Sequence, residues 1–165
     1  MKAHYLGHIV FYVRDLETSV SFYEEILGWE RIKSNTLPFK AAALTSGRTH
    51  HELLLIEVGD APQSNTGHRI GFYHAAFKIG DTFEELKSAY HDLQSTGVNI
   101  TGMSDHTVSK SIYLTDPDGN EIELYIDDPD QDWKKDPALV LSPIKPLRLD
   151  WRPFLGILFS LHIYF

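Results

Sequence analysis

Residues 8–13, HIVFYV, are β-branched, apolar or aromatic almost throughout, the pattern of a strand set into a sheet. The period then changes. In RDLETSVSFYEEILG, Val20, Tyr23, Ile26 and Leu27 fall at helical spacing. Asp15 stands at an N-cap position, and Gly28 follows where a helix would stop. Three strand-like segments come next: WERI, KAAALTS and HELLLIEV. The first half of the chain therefore predicts the order β-α-β-β-β.

The same order recurs. HAAFKIG opens a second strand, and Asp81 stands where Asp15 stood. Phe83, Leu86, Tyr90 and Leu93 form an amphipathic set that ends at Gly97. VNITGM, SKSIYLTD and EIELYID complete the half. Each half opens on a histidine, His8 and His74, 66 positions apart. A βαβββ unit leaves one sheet face uncovered, so two of them side by side can share a cleft. The expected fold is α+β: two tandem βαβββ modules forming a curved, mainly antiparallel sheet around a metal-binding cleft. Module one spans 4–58, a Gly/Pro/Ser/Asn-rich linker 59–69, and module two 70–128. Residues 129–165 read as a C-terminal extension, all within one domain.

Composition narrows the chemistry. With 15 basic and 23 acidic residues, the chain carries a net charge of −8, which disfavours nucleic-acid binding. The longest apolar run, FLGILFSLHIYF, is too short to span a bilayer. The N-terminus meets acidic residues too early for a signal peptide, so a cytoplasmic location is expected. There is no Cys, which excludes disulfides, thiolate metal sites and cysteine nucleophiles. Any metal site must use the nine His and the carboxylates.

A carboxylate stands out on the last strand. Asp116-Pro117-Asp118-Gly119 is a turn signal. The strand after it places Glu121, Glu123 and Tyr125 on one face and Ile122, Leu124 and Ile126 on the other. Glu123 is mid-strand, where an unpaired buried carboxylate would be costly and a metal would relieve the cost. His8, His74 and Glu123 together make two imidazoles and one carboxylate, a set that leaves open positions on a divalent metal.

These residues resemble the vicinal oxygen chelate superfamily, which includes glyoxalase I, type I extradiol dioxygenases and the fosfomycin and bleomycin resistance proteins. GHIVFYVRDLETSVSFYEEILGWE is similar to its opening segment, YHAAFKI to its second ligand strand and YLTDPDGNEIELY to its closing signature. The resemblance implies metal-ligand roles for His8, His74 and Glu123, and paired βαβββ modules. It implies a divalent metal that chelates adjacent substrate oxygens as a Lewis acid: Fe(II) first, with Mn(II), Ni(II) or Zn(II) as alternatives.

Within the superfamily, the pattern is closest to single-domain extradiol ring-cleaving dioxygenases. His50-His51 resembles their His-His strand start, which would make His51 the acceptor of a catechol proton. Tyr113 lies ten residues before Glu123, as the corresponding tyrosine does in those enzymes. His106 and Tyr113 would hydrogen-bond the bound substrate. The expected substrate is catechol-like, and a homodimer is a further implication.

Two alternatives stand beside this. A glyoxalase I-like enzyme acting on a glutathione hemithioacetal would use a fourth ligand, and Glu57 lies 66 residues before Glu123, the His8–His74 offset. Strand parity groups Glu57 with His51, Leu53 and Leu55 and leaves Leu at the mid-strand position, which favours three ligands. A non-catalytic resistance protein would normally lack the triad.

Overall fold

In the computed structural model, residues 2–33, 37–62 and 70–149 are described. Strand β1 (Ile9–Val13) leads into helix α1 (Leu16–Leu27), followed by β2 (Glu30–Arg31), β3 (Ala41–Thr45) and β4 (Leu53–Glu57). The order repeats as β5 (His74–Gly80), α2 (Phe83–Thr96), β6 (Ile100–Asp105), β7 (Ser109–Thr115) and β8 (Glu121–Asp127). In both halves the first strand pairs in parallel with the last, β1 with β4 and β5 with β8. The other neighbours are antiparallel. This is the α+β pair of βαβββ units that the repeat predicts. The strands hydrogen-bond as two sheets, however, rather than one. With β9 (Lys145–Pro146) their orders are β1-β4-β3-β2 and β5-β8-β7-β6-β9, so the two histidine-headed strands are each an edge.

Local chemistry accounts for the helix limits. The Asp15 carboxylate accepts from the Thr18 backbone N–H at 2.8 Å, and Gly28 takes the left-handed conformation that ends α1. In α2 the cap is Thr82, one residue beyond Asp81. Thr82 Oγ1 accepts from the Glu85 N–H while the Glu85 carboxylate accepts from the Thr82 N–H. That reciprocal pair satisfies two otherwise unpaired donors, an arrangement open to threonine with glutamate three residues on.

The core forms where the apolar faces meet. Tyr23, Leu44, Leu53 and Leu55 from the first half are fully buried, as are Leu86, Ile112, Leu114 and Ile122 from the second. Each such aliphatic side chain contributes about 1.5–3 kcal/mol of transfer free energy. Strand β8 buries Ile122, Leu124 and Ile126 and turns Glu121, Glu123 and Tyr125 to the opposite face, as its alternation predicts.

The Asp116–Gly119 turn ties the halves together. The buried Asp116 carboxylate accepts from the Asn120 N–H and side-chain amide, from the Asp118 N–H and, at 2.8 Å, from the Tyr23 hydroxyl of α1. Burial pushes the Asp116 carboxyl up from its usual range, and these donors oppose that shift. Asp118 accepts from the Arg14 N–H and from Ser19 Oγ. Strand β8 is thereby anchored to the start of α1 where it begins.

Beyond β8, residues Pro137–Leu141 form a 3-10 helix and β9 (Lys145–Pro146) extends the second sheet beside β6. Leu149 is buried in the core. The apolar run at 154–165 lies outside the described residues. Among the described residues, no helix is long and apolar enough to cross a membrane.

Candidate metal centre

Parallel pairing of β5 with β8 sets His74 opposite Glu121 and Ala76 opposite Glu123. His74, Ala76, Glu121 and Glu123 therefore share the face that turns away from the core. Across this face, His74 Nε2 lies 2.9 Å from Glu123 Oε2. Strand β7 supplies the rest, because its register puts Tyr113 opposite Glu123. Ser111 Oγ donates to Glu123 Oε1 at 2.5 Å, and the Tyr113 hydroxyl donates to the same oxygen at 3.2 Å. His106 Nε2 lies 2.7 Å from the Tyr113 oxygen. With the Tyr113 hydroxyl donating to Glu123, His106 Nε2–H is the donor to the Tyr113 oxygen.

Burial, and then the Glu123 carboxylate, push the Tyr113 hydroxyl up to about 12. It is thus a fixed proton donor near neutral pH. His106 sits where β6 turns into β7. Thr107, the next residue, has φ of 71°, a left-handed conformation unusual for threonine. The Asp105 carboxylate holds that turn by accepting from the Thr107 N–H at 2.7 Å.

One feature of this face suits a cation. Glu123 Oε1 is fully occupied by hydroxyl donors, which leaves Oε2 and His74 Nε2 converging at 2.9 Å. Two ligand atoms about 2.1 Å from a metal, in adjacent positions, stand roughly 3 Å apart. The ring's other nitrogen, Nδ1, is buried and makes no hydrogen bond.

His8 does not join them. It immediately precedes β1, and its ring lies 4.5 Å from that of His51. His51 Nδ1 in turn lies 2.5 Å from His50 Nδ1. Burial first, then the neighbouring His50 and His8, hold the His51 pKa below its ordinary value, which favours the neutral imidazole. Among the described residues of one chain, no group of three or more His, Asp or Glu is arranged to hold a metal. The structure thus gathers His74, Glu123, Tyr113 and His106 on one sheet, and His8 with His51 on the other.

Glu57 has a different environment. Its carboxylate accepts from the Leu16 N–H at the start of α1 and pairs with Lys40 at 2.5 Å. Lys40 is also the main reason its pKa is held below the usual range. Register identifies the place corresponding to Glu123. Ala76, two residues past His74, faces Glu123. Val10, two residues past His8, faces Leu54. The corresponding position carries leucine.

Sequence reading missed two neighbours. Ser111 shares a face with Tyr113, and spacing alone contained that signal. Glu121 reads as solvated beside its turn, yet it is half buried, with Oε1 3.5 Å from His74 Nδ1.

Known proteins share this plan. Residues 5–124 match the family described as the Glyoxalase/Bleomycin resistance protein/Dioxygenase superfamily. Catechol-2,3-dioxygenase of Bacillus subtilis (strain 168) is 35% identical over 132 residues, covering 80% of this chain but 45% of that protein. Metallothiol transferase FosB of Staphylococcus epidermidis is 34% identical over 127 residues, covering 76% of this chain and 83% of the relative. Among solved structures, a mutant of the fosfomycin resistance protein FosX from Listeria monocytogenes, complexed with Mn(II) and dihydroxypropylphosphonic acid, superposes with a TM-score of 0.58. It is 25% identical and covers 74% of this chain and 92% of its own.

Proposed function

The chain belongs to the Glyoxalase/Bleomycin resistance protein/Dioxygenase superfamily, and from that premise we propose that it is an Fe(II)-dependent extradiol dioxygenase. It would open a catechol-like ring beside the diol, with both atoms of O₂ entering the product. The observation that carries this reading is the chain of hydrogen bonds His106–Tyr113–Glu123 beside His74. It holds proton donors at the edge of the pocket where a diol would sit.

His8, His74 and Glu123 would hold the metal, which would supply Lewis-acid stabilisation of negative charge on the substrate oxygens. The neutral His51 imidazole accepts a catechol proton. With substrate bound, the Tyr113 hydroxyl would turn its one proton from Glu123 to the oxyanion, while His106 keeps donating to the Tyr113 oxygen. Ser111 fixes the Glu123 carboxylate.

Other chemistries find less support. Among the described residues, two lysines of the second sheet are already neutralised: Lys78 pairs with Asp81 and Asp127, and Lys110 with Asp105 and Asp128. A phosphonate pocket needs free positive charge. Leu54 at the place corresponding to Glu123 argues against the four-ligand isomerase.

The ligand set closes between two copies of the chain. Each site takes His8 and His51 from one copy and His74, Glu123, Tyr113 and His106 from the other. The exposed Val10 and Tyr12 of edge strand β1 give that contact an apolar surface. Subunit mixing tests it. His8→Ala and His74→Ala chains are each inactive, and refolding an equal mixture restores about a quarter of the native sites, since half the dimers are mixed and each has one intact site. A mixture as inactive as its components would overturn the shared site.

A further inference from the structure

The two nitrogens of His74 are treated differently by the fold. Nε2 faces Glu123. Nδ1 is buried, makes no hydrogen bond, and has Glu121 Oε1 at 3.5 Å. That distance is too long for a hydrogen bond and short enough that a small rotation closes it. The pairing is built into the backbone, because His74 and Glu121 are register partners across β5 and β8. Their side chains are equally sheltered, each 27% exposed. The Tyr73 ring, on the neighbouring residue, lies 4.7 Å from the His74 ring.

The first half of the chain carries a glutamate at the equivalent place, but with different partners. Register places Glu52 beside His8 as Glu121 stands beside His74, since Leu53 pairs with Ile9. Glu52 is spent elsewhere: it accepts from the Ser46 N–H and hydroxyl and pairs with Arg48. Glu121 alone of the two keeps an oxygen turned to a histidine ring.

We propose that Glu121 is a positioning residue that, when a metal takes the place between His74 Nε2 and Glu123, holds His74 with its proton on Nδ1 and so aims the Nε2 lone pair at the metal. This rests on the reading of His74 as a ligand. The physical reason is general. A neutral imidazole has one donor and one acceptor nitrogen, and a carboxylate beside one of them selects the tautomer and fixes the ring plane. Without that partner, the ring can turn or shift its proton, and the buried Nδ1 is left unsatisfied.

The test is Mn(II) titration of the full-length protein and its variants, with free Mn(II) read by electron paramagnetic resonance. Glu121→Ala should weaken binding about 10–100-fold, the usual effect of losing a carboxylate behind a ligand histidine. Glu121→Gln keeps shape and an acceptor oxygen, so it should recover most of the affinity. Nitrogen-15 spectra of the Zn(II)-loaded protein give a second readout. The His74 Nδ1–H should be exchange-protected in the parent and in Glu121→Gln, and lost in Glu121→Ala. Equal affinity and an unchanged Nδ1–H signal in Glu121→Ala would overturn the proposal while leaving the metal site standing. Glu121→Gln binding as poorly as Glu121→Ala would overturn it in favour of direct ligation. A parent protein that binds no Mn(II) would remove the metal reading itself, and this proposal with it.

Discussion

His74→Ala is expected to lose its metal completely and to keep its fold. The ring contributes Nε2 beside Glu123, and Glu123 with a single remaining imidazole, His8, is too small a ligand set to retain a divalent ion against water. The rest of the carboxylate's environment survives, because Ser111 and Tyr113 still donate to Oε1. Glu123 is therefore not left as an unpaired buried charge, the usual cause of large destabilisation when an ion pair is broken. His74 sits at the first position of β5 and is not part of the buried apolar core. The melting temperature should shift by no more than about 2–4 °C, the equivalent of roughly 1 kcal/mol for a chain of this size. Elemental analysis paired with thermal unfolding reads both quantities. Full metal content in the variant would sink the ligand assignment. Loss of metal only because the protein unfolds would show that the residue is structural.

His51→Ala has the second largest effect, on rate rather than occupancy. Turnover on a catechol should fall about 10²–10⁴-fold, the range for removal of a positioned acid–base group. Metal content should stay at the parent level, because His51 lies beside His8 and is not one of the three proposed ligands. Its burial favours the neutral imidazole, the form that accepts a proton. Single-turnover kinetics with the metal-loaded variant separates the two roles. An unchanged rate removes His51 from the mechanism, and lost metal makes it a ligand.

Much of this arrangement was legible because it is local. The helix stops at Gly28 and Gly97, the Asp15 cap and the alternation that turns Glu123 away from Ile122 and Leu124 all follow from a few neighbouring residues. The His8–His74 repeat was legible too, and it carried the α+β fold. What spacing could not supply was pairing at a distance. Tyr23 and Asp116 meet across 93 positions, and neither advertises the other. Glu121 reads as a turn-flanking solvated residue until parallel β5–β8 register sets it against His74. The same limit explains the division into two sheets. A repeat says that two halves are alike, but which edges meet depends on the packing of α1 against the second half. That is why His8 and His74, equivalent in sequence, do not converge within one chain.

The central claim is an iron-dependent ring cleavage, and one measurement reaches it most directly: metal analysis of anaerobically purified protein, followed by O₂ uptake on catechols in the same sample. About one iron per site and one O₂ consumed per catechol opened are expected. Nickel or zinc with hemithioacetal isomerisation, or a protein that holds no metal at all, would contradict it.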